Sequence, residues 1–255
     1  MATKYTLLYH PGTPGRGEFI RLALEAAQVP YSDPANASKE GAKEVYSLLG
    51  ENVTYDAEGN PPPFAPPMMK IAGAGKKGGD LLLSQTPNIL LYLGPKLGLS
   101  GEDEADVFFV NELTLTALDL CNETHDTHHP IAVMKYYEEQ KEEALRRSKD
   151  FRESRIPKFL GYFERTLKGN KAGTGKYLVG SKLTYADTTL WHVVDGLYFA
   201  FPKEMEARKA DFPVVLQDFY EGLKEETGIK AYLASGRRMK FSMCMFRHYP
   251  ELDRQ

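Results

Sequence analysis

The clear strand-like segments of this chain lie before residue 86, and beyond Gly101 strand signals almost vanish. KYTLLY alternates, with Tyr5, Leu7 and Tyr9 on one face, while MMKI and DLLLSQ are two further strands around an AGKKGG turn. From Arg16 to Val29, Phe19, Ile20, Ala23, Leu24 and Ala27 recur at helical spacing, and Pro30-Tyr31 then turns the chain. Residues 52–67, NVTYDAEGNPPPFAPP, cannot be helix interior. In TPNILLYLGPKLGL, Thr86 is a suitable N-cap and Pro87 suits the first helical position. Helical periodicity then runs through Ala105–Glu123 and Met134–Leu167, where Glu142–Arg146 and Glu143–Arg147 are spaced to pair. LTYADTTLWHVVDGLYFAF and FPVVLQDFYEGLKE are two more helices, the first opened by Thr184 and Asp187 in a capping-box variant. A boundary near Leu99–Glu104 therefore divides an α/β domain, 1–99, from an all-helical domain, 104–255.

Bulk properties narrow the function classes. Hydrophobic residues make up 42% and charged residues 26% of 255 positions, ordinary for a globular protein. A net charge of −3 gives no chain-wide attraction to nucleic acid or anionic membrane. Cys121 and Cys244 form neither a disulfide framework nor a metal-ligand cluster, which fits a reducing compartment. MATKYTLLYH lacks the apolar core of a signal peptide, and no stretch reaches the ~18 apolar residues of a membrane span. A soluble cytoplasmic protein is expected.

The stretch YHPGTPGRGEFIRLALEAAQVPY carries a strand into a turn and then a helix, placing two hydroxyls, Tyr9 and Thr13, at a helix N-terminus where anions are favoured. Five pieces in order make the chain recognisable: Tyr9 with GRGEFIRLAL, the X-Pro step before MMKI, SQTPNILLYLG, the LTYAD helix start, and FPVVLQDF followed by IKAYLASGR. Together they resemble the cytosolic glutathione transferases, of a tyrosine-type class near sigma, mu or pi or a related fungal type. The resemblance implies a thioredoxin-like N-terminal domain that holds glutathione, followed by an all-α domain that supplies a hydrophobic second-substrate site. It also implies a homodimer, glutathione as co-substrate with no permanently bound cofactor, and conjugation to hydrophobic electrophiles in detoxification.

The chemistry explains why such a site needs a hydroxyl. A free thiol with a pKa near ~8.5 is mostly protonated at neutral pH, and the thiolate is the nucleophile. Lowering that pKa by about two units requires ~2.7 kcal/mol of preferential thiolate stabilisation. The tyrosine-type classes place the donor at the end of the first strand, matching Tyr9; other classes use a turn residue, matching Thr13. Arg16 matches a basic residue that approaches the γ-glutamyl carboxylate or polarises the site, whereas Arg21 is expected to brace the domain in an ion pair. Gln85-Thr86 matches a Gln-Ser pair at the γ-glutamyl end, though Pro87 removes one amide donor. In Ala65-Pro66-Pro67 one X-Pro bond should be cis and face the cysteinyl unit; a donating N–H favours cis Pro66, alignment with MMKI favours cis Pro67, and we tilt to Pro66. Lys43 is a candidate for the glycyl carboxylate. Glu112 matches an acidic residue that reaches the glutathione amine across a dimer. The second-substrate wall is expected from His10, Gly12, Thr116 and Leu120.

Other signals are set aside. HDTHHP lacks the H-E-x-x-H spacing and reads as surface histidines near a helix end, bordering the second-substrate pocket at most, so no metal is expected. GNKAGTGKY fails the phosphate-loop pattern at Asn170 and Tyr177, and Trp191 reads as core. Two rival functions stay open: a same-fold ligand-binding protein without turnover, and a glutathione-dependent peroxidase or isomerase.

Overall fold

A computed structural model describes residues 4–255; Met1 to Thr3, the start of the N-terminal stretch considered above, lie outside the described residues. The chain runs β1 Tyr5–Leu8, α1 Gly17–Ala26, β2 Tyr31–Ser32, α2 Pro34–Ala37, α3 Lys39–Ser47, β3 Met68–Ile71, β4 Leu81–Ser84 and α4 Thr86–Leu97. The sheet order is β2-β1-β3-β4, with β1 and β2 parallel and the other two pairings antiparallel. This is the thioredoxin-like arrangement. Period-two alternation sorts its faces: Tyr5, Leu7, Met69 and Ile71 enter the main core with Phe19, Ile20 and Ile89, while Leu8 and Met68 pack on the opposite face with Val45 of α3.

From α5 onward the described residues contain no strand. The helices are α5 Asp106–Asp126, α6 Lys141–Asp150, α7 Ile156–Gly169, α8 Tyr185–Ala200, α9 Pro202–Arg208, α10 Tyr220–Lys224 and α11 Thr227–Ala234. A wider π-type turn at 151–155 joins α6 to α7 without a break, and another at 214–219 leads into α10. The helical run expected from Met134 begins only at Lys141. The buried Gln140 side chain ties residues 131–135 into a loop, accepting from the Ile131 and Ala132 N–H groups and donating to the Ala132 and Lys135 carbonyls. Neither Glu142–Arg146 nor Glu143–Arg147 closes an ion pair, since exposed pairs at this spacing gain little against side-chain freedom. No helix among the described residues is long and apolar enough to cross a membrane.

Helix α8 is the axle of the helical half, with thirteen of its sixteen residues buried. Trp191 is core, as expected, its indole N–H donating to the Tyr220 carbonyl at 3.0 Å. At the start of α8 the buried Asp187 carboxylate accepts from the Thr184 N–H and hydroxyl, both at 2.7 Å, and from the Leu178 N–H at 2.7 Å. Burial pushes its pKa up to about 7 against these three donated bonds. Asp187→Ala leaves two buried N–H groups unpaired besides opening the cap, so an unfolding free energy lower by roughly 3 kcal/mol is expected in urea denaturation. A loss under ~1 kcal/mol would contradict this role.

His192, fully buried on α8, packs against Phe19, Phe241 and Phe246. Burial, and then the charges of Arg238 and Arg21, hold its pKa well below the usual value. Above pH ~6.5 the imidazole is neutral in both folded and unfolded chains; below it the unfolded chain takes up a proton that the folded one refuses. Stability therefore falls on acidification, with a limiting slope of about 1.4 kcal/mol per pH unit from this residue. Denaturation curves at pH 6.5, 6.0 and 5.5 should show that slope removed in His192→Gln; an unchanged slope would assign the acid sensitivity elsewhere.

Candidate active site

Tyr9 immediately follows β1 and is 4% exposed. Its hydroxyl accepts the Arg16 N–H at 2.8 Å, at the mouth of α1. The glycines of GRGEF make room for it: a Cβ on Gly15 would lie 2.2 Å from the Tyr9 hydroxyl, and one on Gly17 would lie 2.7 Å from its Cγ. Burial pushes the Tyr9 pKa up to about 12, with Cys244 adding to the rise, so the hydroxyl keeps its proton and remains a donor. Accepting from a helix N-terminus polarises that O–H further.

A sulfur meets the other candidate hydroxyl of this turn. The Thr13 hydroxyl donates to Cys244 Sγ at 3.2 Å, across 231 residues of sequence. Cys244 also acts electrostatically on Tyr9, so both candidate hydroxyls share one thiol as neighbour. Its backbone takes φ +85°, costly for a residue with a side chain. Phe246, two residues on, lies over Gly196 of α8, where a Cβ would fall 2.5 Å from the ring. Sequence reading noticed Cys244 only as an unpaired thiol; nothing local to FSMCMF announces a partner in the first turn.

Arg16 is the N-cap residue of α1. Its guanidinium donates to the neutral Asn122 amide oxygen of α5 at 2.7 Å, and no ion pair among the described residues neutralises it. It thus brings a free positive charge beside Tyr9. Asn122, unremarked in the sequence, is what orients it. Arg21 braces the domain as expected: it pairs with Asp33 at 2.8 Å and Glu18 at 3.4 Å and donates to the Pro14 carbonyl. Glu18 also accepts from Tyr232 and Arg238, joining α1 to the chain's last helix and the segment after it.

Two expectations at the neighbouring turns are corrected. Helix α4 begins one residue earlier than anticipated: Gln85 is the N-cap, at φ +71°, and Thr86 is already helical. The Thr86 hydroxyl therefore does not cap; it turns back and donates to the Arg16 carbonyl at 3.4 Å, linking the two helix starts. The cis bond is Pro66–Pro67, not Ala65–Pro66. Alignment with β3, which starts at Met68, decides it, and Pro66 consequently offers a carbonyl but no N–H toward the site.

The remaining candidates scatter more widely. His10 shares a 3.2 Å hydrogen bond with the Tyr46 hydroxyl of α3, and Gly12 donates its N–H to Asn36 at 2.8 Å, so this loop closes on the turn after β1. Lys43 is exposed on α3, three residues from Tyr46 and so on the same face. Glu112 is exposed on α5 and interacts with Tyr162 of its own chain. The Thr116 hydroxyl donates to the Glu112 carbonyl. Leu120 is wholly buried in the core and offers no surface to a second substrate, a correction. So are the histidines of HDTHHP: His128 and His129 are 1% and 8% exposed, because the chain turns under the C-terminal segment just past α5.

A family model described as "Glutathione S-transferase, C-terminal domain" matches residues 125–236. The chain is 25% identical over 232 residues to a glutathione S-transferase of Plasmodium falciparum, covering 90% of this chain and 95% of that one. It is 28% identical over 240 residues to glutathione S-transferase A4 of Bos taurus, covering 94% and 92%. Its fold is similar to a sigma-class enzyme of Fasciola hepatica, with a TM-score of 0.66 at 18% identity over 92% of this chain and 98% of that one. A Pi-class enzyme of Onchocerca volvulus gives a TM-score of 0.64 at 22% identity, over 91% and 93%. With a four-stranded sheet feeding a helical half, the chain has the fold of the glutathione S-transferases and is similar to proteins of that name over almost its whole length.

Proposed function

We propose that this protein conjugates glutathione to hydrophobic electrophiles, with residues 1–99 holding the tripeptide and 104–255 the second substrate. The observation that carries the reading is the thiol held by Thr13, on the turn whose Tyr9 hydroxyl meets the α1 N-terminus: on this reading Cys244 Sγ stands in for the glutathione sulfur. The Thr13 hydroxyl donates to the sulfur there, the Tyr9 hydroxyl would supply a second donor, and the unpaired Arg16 charge lies on the same turn. Charge-assisted hydrogen bonds of ~1.5–3 kcal/mol each meet the ~2.7 kcal/mol that a two-unit fall in thiol pKa requires. The thiol proton passes to solvent. The sulfur lone pair then forms a C–S bond at an electrophilic carbon, and the electrons of the bond that breaks leave with the displaced group.

The γ-glutamyl end would reach Gln85-Thr86, where the positive φ of Gln85 turns the chain into the start of α4. Lys43 would meet the glycyl carboxylate and the Pro66 carbonyl the cysteinyl N–H. A homodimer would cover the exposed Phe64, Phe108 and Phe109 and bring Glu112 toward the partner's glutathione. Retention on immobilised glutathione followed by turnover on a panel of apolar electrophiles tests the proposal; turnover confined to peroxides or isomerisable substrates would replace it.

One observation favours a second reading. Because Cys244 occupies the sulfur position, a protein that keeps it there would bind ligands without turnover. If instead it yields to glutathione, removing it should help. Cys244→Ala is expected to lower KM for glutathione by about two- to ten-fold, the worth of one modest hydrogen bond. An unchanged or raised KM would show that the thiol does not compete.

A further inference from the structure

His125 in the last turn of α5, with His128 and His129 just past it, forms a cluster that glutathione chemistry does not use. We infer that His125, His128 and His129 form a site for a divalent transition-metal ion that imidazole favours, of the zinc type. Their candidate ligand atoms all lie within 4.8 Å of one another. Three nitrogens around a tetrahedral ion with ~2.0–2.1 Å bonds are separated by about 3.3 Å, so side-chain adjustment of roughly an ångström assembles the set. His128 Nδ1 and His129 Nδ1 are 2.5 Å apart, too close for both to carry protons, so at least one lone pair points into the cluster.

The outer contacts are those of an oriented ligand set. His128 Nε2 lies 3.2 Å from the Met245 carbonyl; donating there, it leaves Nδ1 unprotonated, its lone pair facing His129 Nδ1. His125 Nδ1 faces the Asp126 carboxylate at 3.6 Å, which leaves Nε2 available. The C-terminal end of α5 and Asp126 favour a cation, while Arg247, and Arg16 near His125, oppose it. Imidazole ligands suit zinc, copper and nickel rather than magnesium or calcium, and three protein ligands leave the fourth position to water. Because Met245 follows Cys244, a bound ion would also fasten the C-terminal segment to α5.

The test is titration of the metal-stripped, tag-free full chain with zinc by calorimetry, and with cobalt(II) by visible absorption. Expected are one saturable equivalent with a micromolar or tighter Kd, a cobalt spectrum of tetrahedral intensity, and at least ten-fold weaker binding in both His125→Gln and His129→Gln. His125 is the most exposed of the three, so that variant should fold even if His129→Gln does not. Absence of saturable binding overturns the inference. So does an affinity unchanged in a folded His125→Gln, which would place the ion at other histidines.

Discussion

Tyr9→Phe is expected to lower kcat by ten-fold or more while leaving the fold intact. The phenyl ring retains the packing of Tyr9 over Gly15 and Gly17, so what is lost is the hydroxyl, the proposed donor to sulfur and the acceptor of the Arg16 N–H. One charge-assisted bond of ~1.5–3 kcal/mol corresponds to roughly ten- to hundred-fold in rate. Thr13 donates to Cys244 Sγ, the proposed stand-in for that sulfur, and the comparison variant Thr13→Ala decides between them. Tyr9 sits at the helix mouth, polarised by a backbone N–H, whereas Thr13 is a turn residue; Thr13→Ala should therefore cost about three-fold or less. If Thr13→Ala abolishes turnover and Tyr9→Phe is silent, the roles are reversed.

Gly15→Ala is expected to damage stability and activity together. A Cβ there would fall 2.2 Å from the Tyr9 oxygen, and the backbone stands at φ +39°. Left-handed backbone costs ~1–2 kcal/mol for an L side chain, and overpacking ~1–3 kcal/mol more. Even if the chain yields, it yields by moving the hydroxyl on which the chemistry rests. Gly17→Ala poses the same question where propensity pulls the other way: alanine favours a helix by ~1 kcal/mol, yet its Cβ would meet Tyr9 Cγ at 2.7 Å. Overlap should win, and urea denaturation beside steady-state kinetics would show both variants less stable and at least ten-fold slower. Wild-type values in either measurement would mean that Tyr9 is not held as described.

The legible parts of the fold were those written in local periodicity. KYTLLY and MMKI alternate because one face meets α1 and α4 and the other α3, and the Thr184–Asp187 box marks a helix start that exists as read. Arg21 was recognisable as a brace because an arginine inside an apolar helix face needs acidic partners. What escaped depends on distant neighbours. The cis bond follows from where β3 begins, and the capping position before α4 from a positive φ at Gln85 that glutamine does not advertise. The burial of His128 depends on Met245, more than a hundred residues away. Cys244 reaches Thr13 only through the path of the C-terminal segment over α8, which no spacing in the sequence encodes.

The most direct check is a pH titration of the thiolate absorbance of glutathione bound to saturated protein, run in parallel on Tyr9→Phe. The bound thiol should ionise about two pH units below its free value of ~8.5 in the wild type, and revert most of the way in the variant. Ionisation at the free value in both proteins, or no binding at millimolar glutathione, would contradict a sulfur held as its anion beside Tyr9.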